Sequence, residues 1–157
     1  VNLIALRQPM AIDLRETVVA LKISSDLERI GDLAKNISKR LISVGVDLPT
    51  EIVKNLEIAG LKAAKQVNSV LNSYLHRDKA VAESVWSSDE EIDQITNVNM
   101  EAAVKHLEKN KSDIKKITQL LFVLKNIERI GDHATNVAEQ TYFLITGEYL
   151  EGDRPKA

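Results

Sequence analysis

The chain has 157 residues, a net charge of −2 and no cysteine, so it forms no disulfide bond. It contains no apolar run long enough to cross a bilayer and no basic stripe interleaved with aromatic residues, which argues against a membrane span and against a nucleic-acid partner. Glycine, proline and aromatic residues are scarce, as is typical of helix bundles, and no segment reads as a strand. We therefore expect an all-α protein, and the lack of cysteine fits a cytoplasmic one.

Four long segments repeat apolar residues every three or four positions, the spacing of an amphipathic helix. The predicted helices span residues 13–43, 50–76, 78–109 and 113–145. Residues 1–8 are interpreted as the last turns of a preceding helix that ends before Pro9, and Asp13 as the N-cap of the first long helix. A turn at 110–112 separates the last two helices, and Gly147 ends the last one. The expected core face of the first helix is Leu14, Val18, Leu21, Leu27, Ile30, Ala34, Ile37 and Leu41.

The first and last predicted helices repeat each other. Residues 28–32 read Glu-Arg-Ile-Gly-Asp, and so do residues 128–132. Such self-similarity indicates a duplicated helical unit, and only the second copy is preceded by two further helices. We therefore predict a tandem three-helix-bundle repeat whose first copy is truncated. Its parts are residues 1–47 (the end of the second helix and the third helix of the first repeat), residues 48–147 (a complete second repeat) and residues 148–157 (a flexible tail).

Acidic residues four positions apart lie on the same face of a helix, where they repel unless a cation binds them. The sequence has three such pairs: Glu28 with Asp32, Asp89 with Asp93, and Glu128 with Asp132. If the last two helices form an antiparallel hairpin, Asp93 faces Glu128 and Asp89 faces Asp132. Four converging carboxylates predict a site for a hard cation such as Mg, Mn, Ca or oxidised iron, with zinc as another candidate. The residues expected around these ligands are Asn36, Asn97, Asn136, Arg29 and Arg129. The alternative is that the pairs are solvated acidic faces neutralised by the two arginines.

Three segments resemble the PhoU family. Residues 26–37 are similar to the third helix of PhoU proteins, residues 127–139 to the sixth, and Asp-Glu-Glu-Ile-Asp at 89–93 to a motif of the fifth. The resemblance implies two three-helix bundles in tandem with multinuclear metal clusters, iron or zinc in some members, held by Glu/Asp-x-x-x-Asp motifs. It implies that the site of the second bundle is complete, whereas Glu28 and Asp32 lack their partner motif.

The resemblance also implies a function. PhoU proteins are negative regulators of phosphate uptake and phosphate-responsive signalling, and they connect the ATPase of the phosphate ABC transporter to a sensor histidine kinase. Contact with a transporter implies peripheral attachment to the membrane, and a truncated first bundle favours a homodimer. The sequence contains no convincing nucleophile constellation or phosphate-cradling loop, so we expect no enzyme. Two alternatives stay open: a helical scaffold or dimerisation protein without metal, and a metal-dependent phosphohydrolase or oxidase.

Overall fold

The computed structural model describes residues 2–45, 50–88 and 90–150, and within them the side chains of residues 2–11 and 90 are not described. This part of the chain is helical, with no strand. The α-helices are α1 (Asn2–Val44), α2 (Thr50–His76), α3 (Lys79–Ser87), α4 (Glu90–Lys109) and α5 (Ile114–Thr146). A 3₁₀ turn at Lys111–Asp113 joins α4 to α5. None of the described helices is long and apolar enough to cross a membrane. The all-α prediction is confirmed.

The predicted spans of α2 and α5 are confirmed to within one residue, and the C-terminal end of α5 follows from a local signal. At the end of α5, Gly147 adopts a left-handed φ of 81°, and its N–H donates to Phe143 O over 2.8 Å. Glycine takes this conformation without the steric penalty of a Cβ atom, so the predicted C-terminal stop is a true helix cap.

At the N-terminus, the predicted helix end before Pro9 is wrong, because α1 runs without a break from Asn2 to Val44. Asp13 is therefore not a cap but an interior residue, and its backbone oxygen accepts a 2.9 Å hydrogen bond from Thr17 Oγ1. A proline inside a helix forfeits one backbone hydrogen bond and costs about 3 kcal/mol. The residues on both sides are rich in leucine, alanine and arginine, which favour helix and continue it past this position.

The predicted helix over 78–109 is also wrong in one respect, since it divides into α3 and α4. Its start is confirmed, because Asp78 Oδ1 accepts from the backbone N–H of Val81 over 3.1 Å. The break comes after Ser88, whose hydroxyl donates to Val85 O over 2.9 Å and so competes with the helical pattern. The buried Gln66 of α2 donates through Nε2 to the carbonyl and hydroxyl oxygens of Ser88, over 3.2 and 3.1 Å. The side-chain amide of Gln66 thus supplies a hydrogen bond to the Ser88 carbonyl oxygen that the break exposes.

The central element is α5, which contacts all four other helices. On one side of α5 lies a three-helix bundle. Its first two helices are α5 and α2, and α3 and α4 together take the position of the third. Its core side chains include Ile117, Leu120, Val123 and Leu124, all at most 1% exposed. Each aliphatic side chain buried to this degree contributes about 1.5–3 kcal/mol. The division into a truncated first repeat over residues 1–47, a complete second repeat over residues 48–147 and a tail stays a prediction.

On the other side of α5 lies α1, which runs antiparallel to it. Three pairs of side chains link the two helices along their length: Arg40 with Gln119, Asp26 with His133, and Arg15 with Phe143. Because each step forward on α1 is a step back on α5, the two Glu-Arg-Ile-Gly-Asp motifs lie opposite each other where these helices meet. The duplicated sequence therefore meets its own copy across the α1–α5 interface.

The face of α1 that packs on α5 is only partly the predicted one, since Leu27, Ile30 and Ile37 of the predicted stripe are half-buried against the core. Val19, Ile23, Leu33 and Val44 are buried there. Several residues of the predicted stripe are instead exposed: Leu14 by 65%, Val18 by 41%, Leu21 by 69% and Leu41 by 41%. The helix carries apolar side chains on more than one face, and α5 covers only one of them. Periodicity alone does not decide between such faces.

Candidate functional site

The described carboxylates of the predicted four-acid site lie on α4 and α5, which run antiparallel from the 3₁₀ turn. Two side-chain pairs bracket this stretch: His106 Nε2 lies 2.8 Å from Asp113 Oδ2 near the turn, and Trp86 Nε1 donates to Glu139 Oε1 over 3.0 Å beyond the far end of α4. Asp93, Glu128 and Asp132 lie between the two pairs, and all three are half-buried. Asp89, the fourth predicted ligand, lies outside the described residues.

The three described carboxylates all have interaction partners. Glu128 is 17% exposed and forms an ion pair with Lys125, three residues before it on α5. Asp93 and Asp132 each take part in a polar or electrostatic interaction as well. Among the residues that the structure describes, no three acidic or histidine side chains lie together in a way that would hold a metal ion. The site with four carboxylates therefore stays a prediction, since one of the four is not described.

The pair from the first copy of the motif has a different environment. Glu28 and Asp32 are exposed on α1, as are Arg29 and Asn36. The two copies thus differ in burial, because α4 packs beside α5 whereas no described helix takes the same place beside α1. Within the described part of the chain, the exposed pair fits the alternative of a solvated acidic face.

The residues predicted to surround the ligands in the second repeat divide between surface and interface. Asn97 and Arg129 lie on α4 and α5, and Asn97 is exposed. Asn136 is half-buried and donates from Nδ2 to Asp26 Oδ1 on α1 over 3.3 Å. It therefore lies one helical turn from Asp132 and at the same time binds the other copy of the repeat.

Sequence reasoning missed the polar cluster that links the two repeats. Asp26 Oδ1 lies 2.7 Å from His133 Nδ1, and the two side chains are 17% and 20% exposed. Asp26 follows Val19 and Ile23 at helical spacing, but only the structure shows that this is a buried face of α1. An acid within an apolar stripe needs a partner from the helix that covers it. That partner is the histidine next to Asp132.

A large apolar groove lies between α1 and α2 above α5, with a volume of about 670 Å³. Its lining is almost entirely aliphatic and includes Ile37, Leu41 and Leu71, with Glu57 and Asn68 as its polar exceptions. Catalytic pockets combine apolar walls with several convergent polar groups. This groove does not show that combination.

Comparison with known proteins identifies relatives over nearly the whole chain. The family model of the PhoU domain matches residues 1–41 and 56–141. The phosphate-specific transport system accessory protein PhoU homolog of Caulobacter vibrioides (strain NA1000 / CB15N) is 48% identical over 156 residues, covering 99% of this chain and 68% of that protein. The Rhizobium meliloti protein of the same description is 45% identical over 154 residues, covering 98% of this chain and 65% of that protein. The chain thus spans about two thirds of the length of these relatives.

Solved structures have the same fold. The crystal structure of PhoU from Pseudomonas aeruginosa superposes with a TM-score of 0.83 at 30% identity, covering 94% of this chain and 71% of that one. The phosphate transport system regulatory protein PhoU from Streptococcus pneumoniae superposes with a TM-score of 0.79 at 27% identity, covering 89% of this chain and 66% of that one.

Proposed function

This chain belongs to the PhoU domain family, and we propose that it acts as an accessory and regulatory protein of a phosphate-specific transport system. The observation that carries this proposal is the family match over residues 1–41 and 56–141, together with relatives described as accessory proteins of that system. The chain spans about two thirds of the length of these relatives. The activity of the whole protein is therefore proposed and not shown. The role is regulatory rather than enzymatic.

The finer proposal concerns its partners. The protein acts as a cytoplasmic negative regulator that connects the ATPase of the phosphate ABC transporter to a sensor histidine kinase. Support comes from the family and from the apolar side chains that α1 leaves uncovered, such as Leu14 and Leu21, exposed by 65% and 69%. Apolar residues that recur along one helix and stay bare are typical of surfaces that another chain or helix covers. A homodimer is the symmetric way to cover such a surface.

The proposal includes a metal centre held by Asp89, Asp93, Glu128 and Asp132. Its support is that three of the four carboxylates are half-buried on two neighbouring antiparallel helices, and that carboxylate oxygens are hard ligands suited to iron, Mg or Mn, with zinc also possible. A bound ion would supply positive charge that lets these acids lie close together. Its affinity is opposed by Lys125, whose ammonium already neutralises Glu128. The centre would hold either a single ion or a multinuclear cluster.

The metal centre is tested by titrating chelator-treated protein with Mn²⁺, Fe²⁺ and Zn²⁺ and by elemental analysis of the untreated protein. We expect the separate substitutions Asp93→Asn and Asp132→Asn to weaken binding at least tenfold. The matched control is the double substitution Glu28→Gln, Asp32→Asn, which removes the exposed pair of α1 and should leave this binding unchanged. Absence of binding, or an equal loss in the control, would refute the centre and favour a scaffold without metal.

The regulatory role is tested in cells. Tagged protein should co-purify with the transporter ATPase or the histidine kinase when phosphate is abundant. Cells that lack the protein should express phosphate-starvation genes in phosphate-rich medium. Normal repression in such cells would refute the regulatory proposal, whatever the outcome of the metal titration.

A further inference from the structure

One end of the molecule is strongly basic although the whole chain is slightly acidic. We define this basic end as described residues 39–45, 50–51 and 105–116, where α1 and α4 finish and α2 and α5 begin. It contains seven basic and three acidic residues, whereas the whole chain has a net charge of −2. The basic residues are Lys39, Arg40, Lys105, Lys109, Lys111, Lys115 and Lys116, and the acidic ones are Glu51, Glu108 and Asp113.

The contacts between helices bring these separated segments together. Arg40 Nη1 donates to Gln119 Oε1 over 2.6 Å, which joins the last turns of α1 to the first turns of α5. A concavity of about 420 Å³ at the same place is lined by residues of both helices, among them Ser43 and Lys115. The chain direction and the tight turn place the end of α4 beside them. The basic end is therefore a product of the fold and not of one stretch of sequence.

Most of its positive charge is not compensated locally. Five lysines are exposed and form no ion pair within the part of the chain that the structure describes: Lys39, Lys105, Lys109, Lys111 and Lys115. One of the three acids, Asp113, already binds His106. Solvated like charges held at one end of a bundle repel each other slightly and attract an anionic surface.

Large apolar side chains are exposed among these lysines. Ile42, near the end of α1, is 83% exposed, and Ile114, the first residue of α5, is 57% exposed. Both lie within the segments that form the basic end, and Ile114 also lines the concavity between the two helices. Lysines that surround exposed aliphatic residues are the combination with which peripheral proteins bind anionic bilayers, since the charges attract the headgroups and the aliphatic groups enter the interface.

We propose that the basic end binds the anionic lipid headgroups of a membrane surface. Nucleic acid fits less well, because single-stranded binding uses aromatic side chains for base stacking, whereas the segments of the basic end contain no Phe, Tyr or Trp and their exposed large apolar residues are Leu41, Ile42 and Ile114. An acidic protein surface would also match the lysines and cover the isoleucines. Such a partner would leave anionic vesicles unbound, which is the result that overturns lipid binding. Lipid binding at this end would orient the bundle with its long axis pointing away from the membrane. The proposal does not rest on the metal centre or on the regulatory role.

The test is co-sedimentation of the purified full chain with vesicles of phosphatidylglycerol mixed with phosphatidylcholine, against vesicles of phosphatidylcholine alone. We expect binding only to the anionic vesicles, and weaker binding as salt is raised. Each lysine near an anionic surface contributes about fivefold to partitioning. The double substitution Lys111→Gln, Lys115→Gln should therefore lower partitioning about 25-fold. The matched control is Lys22→Gln, Lys65→Gln, which removes the same charge from exposed positions outside the basic end.

The apolar contribution is tested separately with Ile42→Ser, Ile114→Ser, which should reduce the part of the binding that persists at high salt. Equal binding to both kinds of vesicle would overturn the proposal, as would equal losses in the two lysine double variants. Binding of a DNA or RNA oligonucleotide with the same dependence on Lys111 and Lys115, but no binding of vesicles, would assign the surface to nucleic acid instead.

Discussion

The polar cluster between the two repeats makes a specific prediction about stability. Asp26 Oδ1 lies 2.7 Å from His133 Nδ1 and accepts from Asn136 Nδ2 over 3.3 Å. The substitution Asp26→Ala leaves both nitrogen atoms without this acceptor inside the α1–α5 interface. We expect the free energy of unfolding to fall, because a partly buried polar group that loses its partner is not fully solvated again.

The magnitude follows from burial. Hydrogen bonds to a charged group are worth about 1.5–3 kcal/mol, and the unpaired groups add a desolvation cost. Asp26 and His133 are 17% and 20% exposed, so water replaces part of the lost interaction. We therefore expect a loss of about 1–2 kcal/mol. For a chain of this length, each kcal/mol lowers the melting temperature by roughly 2–4 °C.

The assay is urea unfolding followed by far-UV circular dichroism and by the fluorescence of Trp86, the only tryptophan. The control is Glu28→Ala, which removes an exposed acid two positions further along α1 and should change the free energy by less than about 0.5 kcal/mol. Asp26→Asn keeps one acceptor oxygen and should fall between the two variants. If Asp26→Ala costs no more than Glu28→Ala, the cluster does not stabilise the contact between α1 and α5.

Three further predictions concern an N-cap, two glycines that follow helix ends and the metal centre. The substitution Asp78→Ala removes the N-cap of α3 and should cost about 1 kcal/mol in urea unfolding. Gly147→Ala and Gly45→Ala each force alanine into a φ of 81°, and each should lower the free energy of unfolding by about 1 kcal/mol. Lys125→Met removes the ammonium that pairs with Glu128 and should raise Mn²⁺ affinity about fivefold, the equivalent of about 1 kcal/mol for an exposed ion pair.

Each of these has a matched comparison. A Cβ atom at position 147 would come within 2.9 Å of Arg15 Nη1, whereas Gly45 has open space, so Gly147→Ala should cost slightly more. If Gly45→Ala instead lowers the free energy of unfolding more than Gly147→Ala does, the steric argument is wrong. For the cap, the comparison is Ala80→Gly, which weakens α3 without removing its N-cap and so tests whether α3 limits the stability of the protein. If Asp78→Ala leaves the free energy of unfolding unchanged, the capping prediction is wrong. For the metal centre, Lys65→Met is the control, and equal changes in Mn²⁺ affinity for both lysines would exclude local competition.

Much of the helical structure was predictable because its signals are local. Apolar spacing located α2 and α5, an aspartate marked the start of α3, and Gly147 marked the end of α5. These signals act within a few residues along the chain, through capping hydrogen bonds and through the left-handed conformation that glycine adopts freely. The duplicated Glu-Arg-Ile-Gly-Asp motif and the acid pairs were likewise visible in the sequence.

Only the tertiary structure decided which surfaces meet. The side of α1 that became core contains Val19 and Ile23, while the equally apolar Leu14 and Leu21 remained exposed. The break after Ser88 depends on an amide that α2 provides, and the partner of Asp26 comes from more than a hundred residues further along the chain. The physical reason is that helix formation requires only neighbours in sequence, whereas burial, charge pairing and helix breaks depend on which surface another helix covers.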